Sequence, residues 1–347
     1  MKTDELLNWY EQNKRDLPWR RTSDPYAILL SEIMLQQTRV DAVREKYLAF
    51  LKAVPDFSSL AVLPEDSLLK LWEGLGYYSR AKNLQKTAQI VERDFSGKLP
   101  SRYEQLLKLP GIGEYTAAAV SSIAFSQPVP AVDGNVLRVF TRIHAREDDI
   151  RKNGFRKYVF AALQNDIPSD RPGVFNQAMM ELGALVCIPS GQPRCDSCPL
   201  SSFCLAHQEK RETDFPVKGA PAARRIEDKT VFVLEHDGRF IGYKRPENGL
   251  LANLYQLPDR EGHLTEKEIL SFLSVHGLSA AGEFRIYSRK HVFSHVEWHM
   301  QVFYAKIRLQ ASAFYDTSWL LLNPSIHSLP TAYRICLPKE KDPFGSN

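Results

Sequence analysis

The sequence of 347 residues lacks a long apolar run, has few cysteines and carries almost no excess of charge of one sign. No stretch approaches the roughly 18 apolar residues that a membrane-spanning helix requires, and the N-terminal MKTDELLNWYEQNKRDLPW contains no apolar core of an export signal. Lysine and arginine outnumber aspartate and glutamate by only 45 to 41, which permits nucleic-acid binding without establishing it. We therefore expect a cytoplasmic protein, long enough for two domains.

Five cysteines are present, and four of them fall within one short stretch. In a cytosolic chain such a group indicates a metal site rather than disulfides. Four thiolates can hold zinc or an iron–sulfur cluster. Zinc sites usually combine two C-x2-C pairs, whereas this stretch has one such pair with long and unequal outer spacings, so a structural zinc is the alternative. The candidate ligands are Cys187, Cys195, Cys198 and Cys204.

The character of the chain changes near residue 210. Residues 1–209 have the apolar periodicity of helices, interrupted at points such as Gly74 and Gly76. Residues 210–228, rich in charge and containing proline and glycine, are typical of a linker. Beyond them, KTVFVLEHDGRFIGYKR and HVFSHVEWHMQVFYAKI are strand-like, and TEKEILSFLSVHG is a helix that Thr265 would cap and Gly277 would end. The sequence thus predicts an all-α domain followed by an α+β domain.

Residues 109–117, LPGIGEYTA, predict a sharp turn between two helices. Gly111 and Gly113 would let the backbone approach a ligand closely, and the N–H groups that open the next helix would bind an anion. A DNA phosphate suits such a site, and this contact would be independent of base sequence. A simple connection between helices is the alternative for this turn.

Two carboxylates have surroundings that suit acid–base chemistry. Glu32 lies mid-helix with Ile28, Leu29 and Leu35 on its side, and the loss of solvation would raise its pKa. Asp133, just before a helix, would keep a low pKa because helix N–H groups favour its anion. Cleavage of a glycosidic bond needs one protonated acid and one ionised carboxylate. The alternatives are a helix glutamate paired with an arginine and an ordinary N-cap.

These motifs together resemble the endonuclease III-like helix-hairpin-helix DNA glycosylases, and among them the adenine DNA glycosylase family. The matching segments are SEIMLQQTRV, GLGYYSRAKNL, LPGIGEYTAAAV, AVDGNV, the cysteine stretch and HVFSHVEW. The resemblance implies a helical catalytic domain (1–209) with a helix-hairpin-helix at about 103–125 and a 4Fe–4S cluster on the loop 187–204. It also implies base excision repair of adenine mispaired with 8-oxoguanine or G in double-stranded DNA, by a monomer at the bacterial nucleoid.

The resemblance also implies roles for individual residues. Glu32 would protonate adenine N7 and later activate water, Asp133 would stabilise the positively charged sugar, and Tyr115 and Asn135 would position the acid and the sugar. In relatives that also cut the strand, the position of Tyr115 holds a lysine that forms a Schiff base, which tyrosine cannot do. We therefore expect a monofunctional glycosylase. The residues expected at the flipped base and in the duplex are Trp19, Leu35, Gln37 and Tyr77.

Residues 229–347 resemble the Nudix-like domain of this family. Nudix hydrolases need a glutamate-rich helix for magnesium, and LTEKEILSFLSVHG lacks a REUxEE run, so pyrophosphate hydrolysis is disfavoured and a recognition role remains. The family's 8-oxoguanine recognition loop corresponds to Phe293, Ser294 and His295, where the Ser294 hydroxyl can donate and accept hydrogen bonds. A polar β-turn is the alternative.

Two other functions stay open at this point. An endonuclease III-like glycosylase and lyase for damaged pyrimidines is disfavoured by Tyr115 and by the extra C-terminal domain. An iron–sulfur DNA-binding module without catalysis would retain DNA binding and show no base release. We expect a structural cluster that shapes a basic loop, including Arg194, against DNA. Interleaved basic and aromatic residues, as in YYSRAKN and RKNGFRKY, are compatible with such a surface.

Overall fold

The computed structural model describes residues 2–219, 223–309 and 318–338. Residues 220–222 of the expected linker, and 310–317 and 339–347 of the expected C-terminal domain, lie outside the described residues. The chain divides into two compact units, one formed by Met1–Leu63 and Ser79–Pro221, the other by Pro64–Tyr78 and Ala222–Asn347. The segment Pro64–Tyr78 thus groups with the C-terminal residues, although its periodicity alone places it among the N-terminal helices.

The first unit is helical, as its apolar periodicity predicted. Three-residue 3₁₀ turns at Pro18–Arg20, Cys195–Ser197 and Ser201–Phe203 supplement its helices. No helix in the described part of the chain is long and apolar enough to cross a membrane. The helices of both units are α1 Thr3–Asn13, α2 Pro25–Leu35, α3 Val40–Ala53, α4 Phe57–Ala61, α5 Glu65–Leu71, α6 Ser79–Phe95, α7 Tyr103–Leu106, α8 Glu114–Phe125, α9 Gly134–Ile143, α10 Asn153–Leu163, α11 Pro172–Leu185, α12 Leu205–Gln208, α13 Glu266–Val275 and α14 Thr331–Arg334.

The helix α2 is buried along nearly its whole length and is fixed at both ends. Asp24 accepts hydrogen bonds from the N–H groups of Tyr26 and Ala27 at 3.1 and 3.3 Å, which satisfies two donors of the first turn. Beyond the other end, the Arg80 guanidinium donates to the carbonyls of Met34 and Gln36 at 2.9 and 2.6 Å. Arg80 belongs to YYSRAKN, which the sequence analysis considered compatible with a DNA-binding surface. In the structure this arginine is buried and caps a helix.

The second unit is built on a mixed sheet. The main path runs β3-β2-β1-β6-β5, with β4 beside β1 and β7 beside β2. Strands β1 and β6 are parallel from Arg225↔Val296 to Glu235↔Lys306, and the other pairs are antiparallel. The α+β prediction is confirmed. The strands are β1 Arg225–His236, β2 Arg239–Lys244, β3 Tyr255–Gln256, β4 Asp259–Glu261, β5 Leu278–Val292, β6 Val296–Leu309 and β7 Leu320–Leu322.

Local signals in the C-terminal sequence predicted several of these elements. Asp237 and Gly238 form the turn between β1 and β2, both with positive φ. Thr265 caps α13 in a capping box with Glu268, and Gly277 follows its end at φ 66°. Two boundaries differ from expectation. Strand β1 begins at Arg225, inside the expected linker, and HVFSHVEWHMQVFYAKI is not one run but two paired strands with a turn at 293–295.

Candidate active site

Glu32 lies on a buried side of α2 and faces a tyrosine hydroxyl. The Tyr115 hydroxyl donates a hydrogen bond of 2.8 Å to Oε2 of Glu32, whose residue is 7% exposed. Burial raises the pKa of Glu32 from 4.5 to about 7; the bond from Tyr115 and the charge of Arg20 lower that pKa, and the charge of Asp133 raises it. Glu32 is therefore partly protonated near neutral pH, which is the state that a general acid needs.

Asp133 is the N-cap of α9. Its Oδ1 accepts from the Val136 N–H and its Oδ2 from Nδ2 of Asn135, each at 2.7 Å. The prediction of a low pKa was wrong. Burial raises the pKa of Asp133 above its usual 3.8, and the bonds from Val136 and Asn135 offset this only in part. The surroundings of both Glu32 and Asp133 therefore oppose ionisation. The sequence had predicted this for Glu32 alone.

Glu32, Tyr115 and Asp133 share one electrostatic environment. Burial raises the pKa of Tyr115 well above 10, and the charges of Glu32 and Asp133 raise it further. The phenol therefore stays protonated and acts as a hydrogen-bond donor. It also lies 3.1 Å from Sδ of Met180 on α11. Helices α2, α8, α9 and α11 thus meet around these polar groups.

A buried arginine, which the sequence analysis missed, supports Asp133. The Arg138 side chain donates to Oδ1 of Asn135 at 2.9 Å, to the Gly183 carbonyl at 2.8 Å and to the Cys187 carbonyl at 2.7 Å. Asn135 in turn holds Asp133. A Cβ atom on Gly183 would lie 2.6 Å from that of Asn135, so a glycine is required there. The only sequence signal is the spacing of Asn135 and Arg138, three residues apart on α9.

The N-terminal arginines are held by Glu181, which also escaped the sequence analysis. Arg15 and Arg20 both donate to its carboxylate, at 2.7 and 2.8 Å for Oε2. These bonds outweigh burial and lower the pKa of Glu181 to about 2. They fix the segment that bears Trp19, a buried residue whose ring meets Tyr47 edge-on at 5.4 Å.

The two residues expected to probe the duplex share an unusual backbone. Gln37, in the first unit, is exposed and has φ 54°; Tyr77, in the second, is 47% exposed and has φ 44°. Non-glycine residues seldom adopt positive φ, and a bulky aromatic does so only where its surroundings impose it. Such strain is concentrated at functional sites. Leu35, the last residue of α2, is half-buried.

The glycine turn precedes α8 without a side-chain cap. Gly113 is the N-cap, and a glycine has no side chain to bond to the N–H groups that open the helix. Gly111 has φ 75°, and a Cβ there would lie 2.7 Å from Cβ of Asn83, whereas a Cβ on Gly113 would meet nothing within 4 Å. The fold of the turn therefore requires a glycine at Gly111, whereas the backbone at Gly113 is open.

The turn between β5 and β6 contains the expected recognition residues. Phe293 packs inward against Trp298, with ring centroids 4.9 Å apart, while Ser294 and His295 are exposed. The Ser294 Oγ is hydrogen-bonded to the Tyr77 hydroxyl. The expected 8-oxoguanine reader and one expected duplex probe thus lie together on the second unit.

All four clustered cysteines line one cavity in the first unit, and none of them forms a disulfide. Burial raises the pKa of Cys195 to about 12 and that of Cys198 to about 11, and the charges of neighbouring thiolates contribute. Four thiolates here would need a compensating cation, as a metal cluster supplies. Cys195 also lies within 4.8 Å of donor atoms on His207 and Glu212, but those two bond to each other at 2.6 Å.

Comparisons with known proteins agree with both units. Residues 30–160 match the HhH-GPD superfamily of base excision DNA repair proteins, and residues 230–339 match the NUDIX domain. The adenine DNA glycosylase of Buchnera aphidicola subsp. Baizongia pistaciae is 33% identical over 97% of this chain and 95% of its own length. The human enzyme of that name is 34% identical over 86% of this chain, and the Arabidopsis thaliana one 39% over 73%. The chain spans only 65% and 46% of these two longer relatives.

Solved structures resemble the helical part. A thermostable thymine-DNA glycosylase, 29% identical, aligns with a TM-score of 0.55 over 60% of this chain and 95% of its own. Endonuclease III in a trapped covalent complex with DNA, 25% identical, aligns with a TM-score of 0.52 over 60% and 94%. The predicted helix-hairpin-helix and Nudix-like folds are confirmed.

Proposed function

This chain belongs to the adenine DNA glycosylase family, and we propose that it hydrolyses the N-glycosidic bond of adenine opposite 8-oxoguanine or guanine in double-stranded DNA. The observation that carries the proposal is the Glu32 carboxyl, buried, bonded to Tyr115 and given a pKa of about 7. The leaving adenine needs a proton, and a carboxylic acid that is half protonated near neutrality can supply it.

Glu32 would donate its proton to adenine N7 as the glycosidic bond breaks. The Tyr115 hydroxyl fixes Oε2 of Glu32 and leaves Oε1 for the base. After proton transfer, Tyr115 donates to a full carboxylate, and this charge-assisted bond is stronger than the one to the neutral acid. The same carboxylate could then take a proton from the attacking water.

Asp133 would stabilise the positive charge that develops on the sugar. Its Oδ1 and Oδ2 are held by Val136 and Asn135, and Arg138 holds Asn135 in turn. Since burial opposes its ionisation, an anionic Asp133 gains more from a nearby cation than an exposed carboxylate would. The raised pKa that contradicted our expectation is thus compatible with a role in the transition state.

Tyr115 would make the enzyme monofunctional. A strand-cutting lyase needs an amine at the sugar, and a protonated phenol offers none. The product should therefore be an abasic site with both strands intact. A phenol in place of an amine also disfavours the endonuclease III-like lyase alternative.

Duplex binding would use the uncapped start of α8. The open N–H groups after Gly113 can bind a backbone phosphate. Gln37 and Tyr77, both exposed with positive φ, would enter the duplex when the adenine flips out. Trp19 and Leu35 would line the pocket for the flipped base. Ser294, flanked by Phe293 and His295, would read the edge of 8-oxoguanine.

A 4Fe–4S cluster fits the cavity that the clustered cysteines line. When bound, it would balance the charge of the four half-buried thiolates, of which Cys187 also accepts from Arg142 at 3.2 Å, and would tie the loop 187–204 together. The Cys187 carbonyl accepts from Arg138, so the same loop helps to place the residue that supports Asn135. Arg194 would lie on this loop as one of its basic contacts with DNA. The ligands would be Cys187, Cys195, Cys198 and Cys204.

Excision from matched duplexes tests the proposal. Adenine would be placed opposite 8-oxoguanine, guanine, cytosine or thymine, and release would be measured under single-turnover conditions. We expect fast release opposite 8-oxoguanine, slower release opposite guanine and little otherwise. Glu32→Gln should bind the duplex without releasing adenine. Wild-type protein that binds these duplexes and releases no adenine would instead support a non-catalytic DNA-binding module.

A further inference from the structure

The segment Pro64–Tyr78 is fastened to the C-terminal residues by polar contacts along its length. At its beginning, Asn253 donates to Glu65 at 2.7 Å and Lys244 to Asp66 at 2.6 Å. At its middle, the Ser328 hydroxyl donates to the Leu69 carbonyl at 3.1 Å, and Lys70 donates to that of Pro324 at 2.7 Å. This segment therefore belongs structurally to the unit that carries Ser294.

Glu73 is the buried charge among these contacts. Its side chain is 6% exposed, and its Oε2 lies 3.0 Å from the Arg334 guanidinium and 2.6 Å from the Lys70 ammonium. Its Oε1 accepts from the Leu329 N–H at 3.1 Å. One carboxylate thus joins α5, α14 and the backbone between β7 and α14. Removing a buried charged partner leaves the others unsatisfied, which costs more than losing an exposed contact.

The backbone directly after Glu73 has positive φ at three residues, and the last of them, Tyr77, is strained because it is not a glycine. Gly74, Gly76 and Tyr77 have φ of 94°, 68° and 44°, and Trp72 donates across this turn to the Gly76 carbonyl at 3.1 Å. A tyrosine holds this conformation only when its neighbours impose it. The result is an exposed Tyr77 whose hydroxyl is bonded to Ser294.

We propose that Glu73 is a positioning residue for discrimination between 8-oxoguanine and guanine, because it anchors the strained turn that holds Tyr77 beside Ser294. The inference rests on the proposed function. The anchored turn fixes the distance between the side chain that enters the duplex and the side chain that reads the lesion. When Glu73 loses its charge, the turn relaxes and the two no longer engage one base pair together.

The test compares full-length wild-type protein with Glu73→Gln on duplexes that differ only in 8-oxoguanine or guanine opposite adenine. We expect the ratio of the two single-turnover rates to fall about tenfold, with guanine-opposed excision nearly unchanged. Glu235→Gln is the matched control, since Glu235 lies on β1 and accepts its bond from Tyr304 on β6 of the same sheet. Its ratio should stay at the wild-type value.

A second comparison separates positioning from stability. In a Tyr77→Ala background, Glu73→Gln should change the ratio no further, because the side chain that it positions is gone. If Glu73→Gln does not fold, Arg334→Gln removes the same ion pair from its more exposed side. Equal losses on both duplexes, an unchanged ratio, or additive effects in the Tyr77→Ala background would overturn the inference. Wild-type protein inactive on both duplexes would instead refute the proposed function.

Discussion

Glu32→Gln should stabilise the protein at alkaline pH while it abolishes base release. In the folded protein, burial lifts the pKa of Glu32 from 4.5 to about 7. A carboxyl with a raised pKa contributes its full stability below pH 4.5. This stability is lost as the pH rises from 4.5 through about 7. At about 1.4 kcal/mol per pKa unit, ionisation of Glu32 lowers the free energy of unfolding by about 3 kcal/mol. Glutamine keeps the shape, can accept from Tyr115 and never ionises.

The assay is thermal unfolding of wild-type and Glu32→Gln protein between pH 5 and pH 8.5, followed by a signal of the helical unit. The difference in Tm should be small at pH 5 and grow to roughly 6 to 12 °C above pH 8, in favour of the variant. Tyr26→Phe is a control on the same helix, since it loses a buried bond to the Val54 carbonyl, and burial raises the pKa of the Tyr26 phenol above 10, so that no group titrating between pH 5 and pH 8.5 is removed. A Tm difference that does not change with pH would refute the assignment of a buried, raised-pKa carboxyl.

Two further substitutions probe the site and its turn. Tyr115→Lys places an amine where strand-cutting relatives have one, so we expect borohydride to trap a covalent complex with DNA that wild-type protein does not form; a gel that shows no trapped species would contradict this. Gly111→Ala should destabilise the helical unit by about 1–3 kcal/mol in urea unfolding, because φ is 75° and the new Cβ would meet Asn83. Gly113→Ala should leave the stability nearly unchanged, because a Cβ there would meet nothing within 4 Å. Equal effects of the two alanines would contradict the geometry.

Local sequence signals predicted most of the elements, because those signals are themselves local interactions. Thr265, which caps α13, and Gly277, which follows its end, each act on residues a few positions away. The segment Pro64–Tyr78 is the exception. Its helical period is correct, yet its partners lie more than 170 residues away along the chain, where periodicity gives no information.

Sequence motifs predicted which residues belong to the candidate site. They did not predict the properties of those residues that depend on burial. Glu32 was proposed from its motif and Tyr115 and Asn135 from the family resemblance; the structure gives their contacts, and their catalytic roles stay predictions. The direction of the pKa shift at Asp133 was predicted wrongly. The sequence indicates the N-cap bonds, which lower the pKa, but not the burial by other parts of the chain, which raises it. Arg138 was missed for the same reason, since its partners come from three elements.

The pH dependence of single-turnover adenine release from a duplex with 8-oxoguanine tests the role of Glu32 most directly. A general acid with a pKa of about 7 predicts a rate that is high below pH 7 and falls tenfold per unit above it. In Tyr115→Phe, which loses a bond that favours the anion, the falling limb should move to higher pH. A rate that stays constant up to pH 9, or a limb that Tyr115→Phe moves to lower pH, would contradict the account.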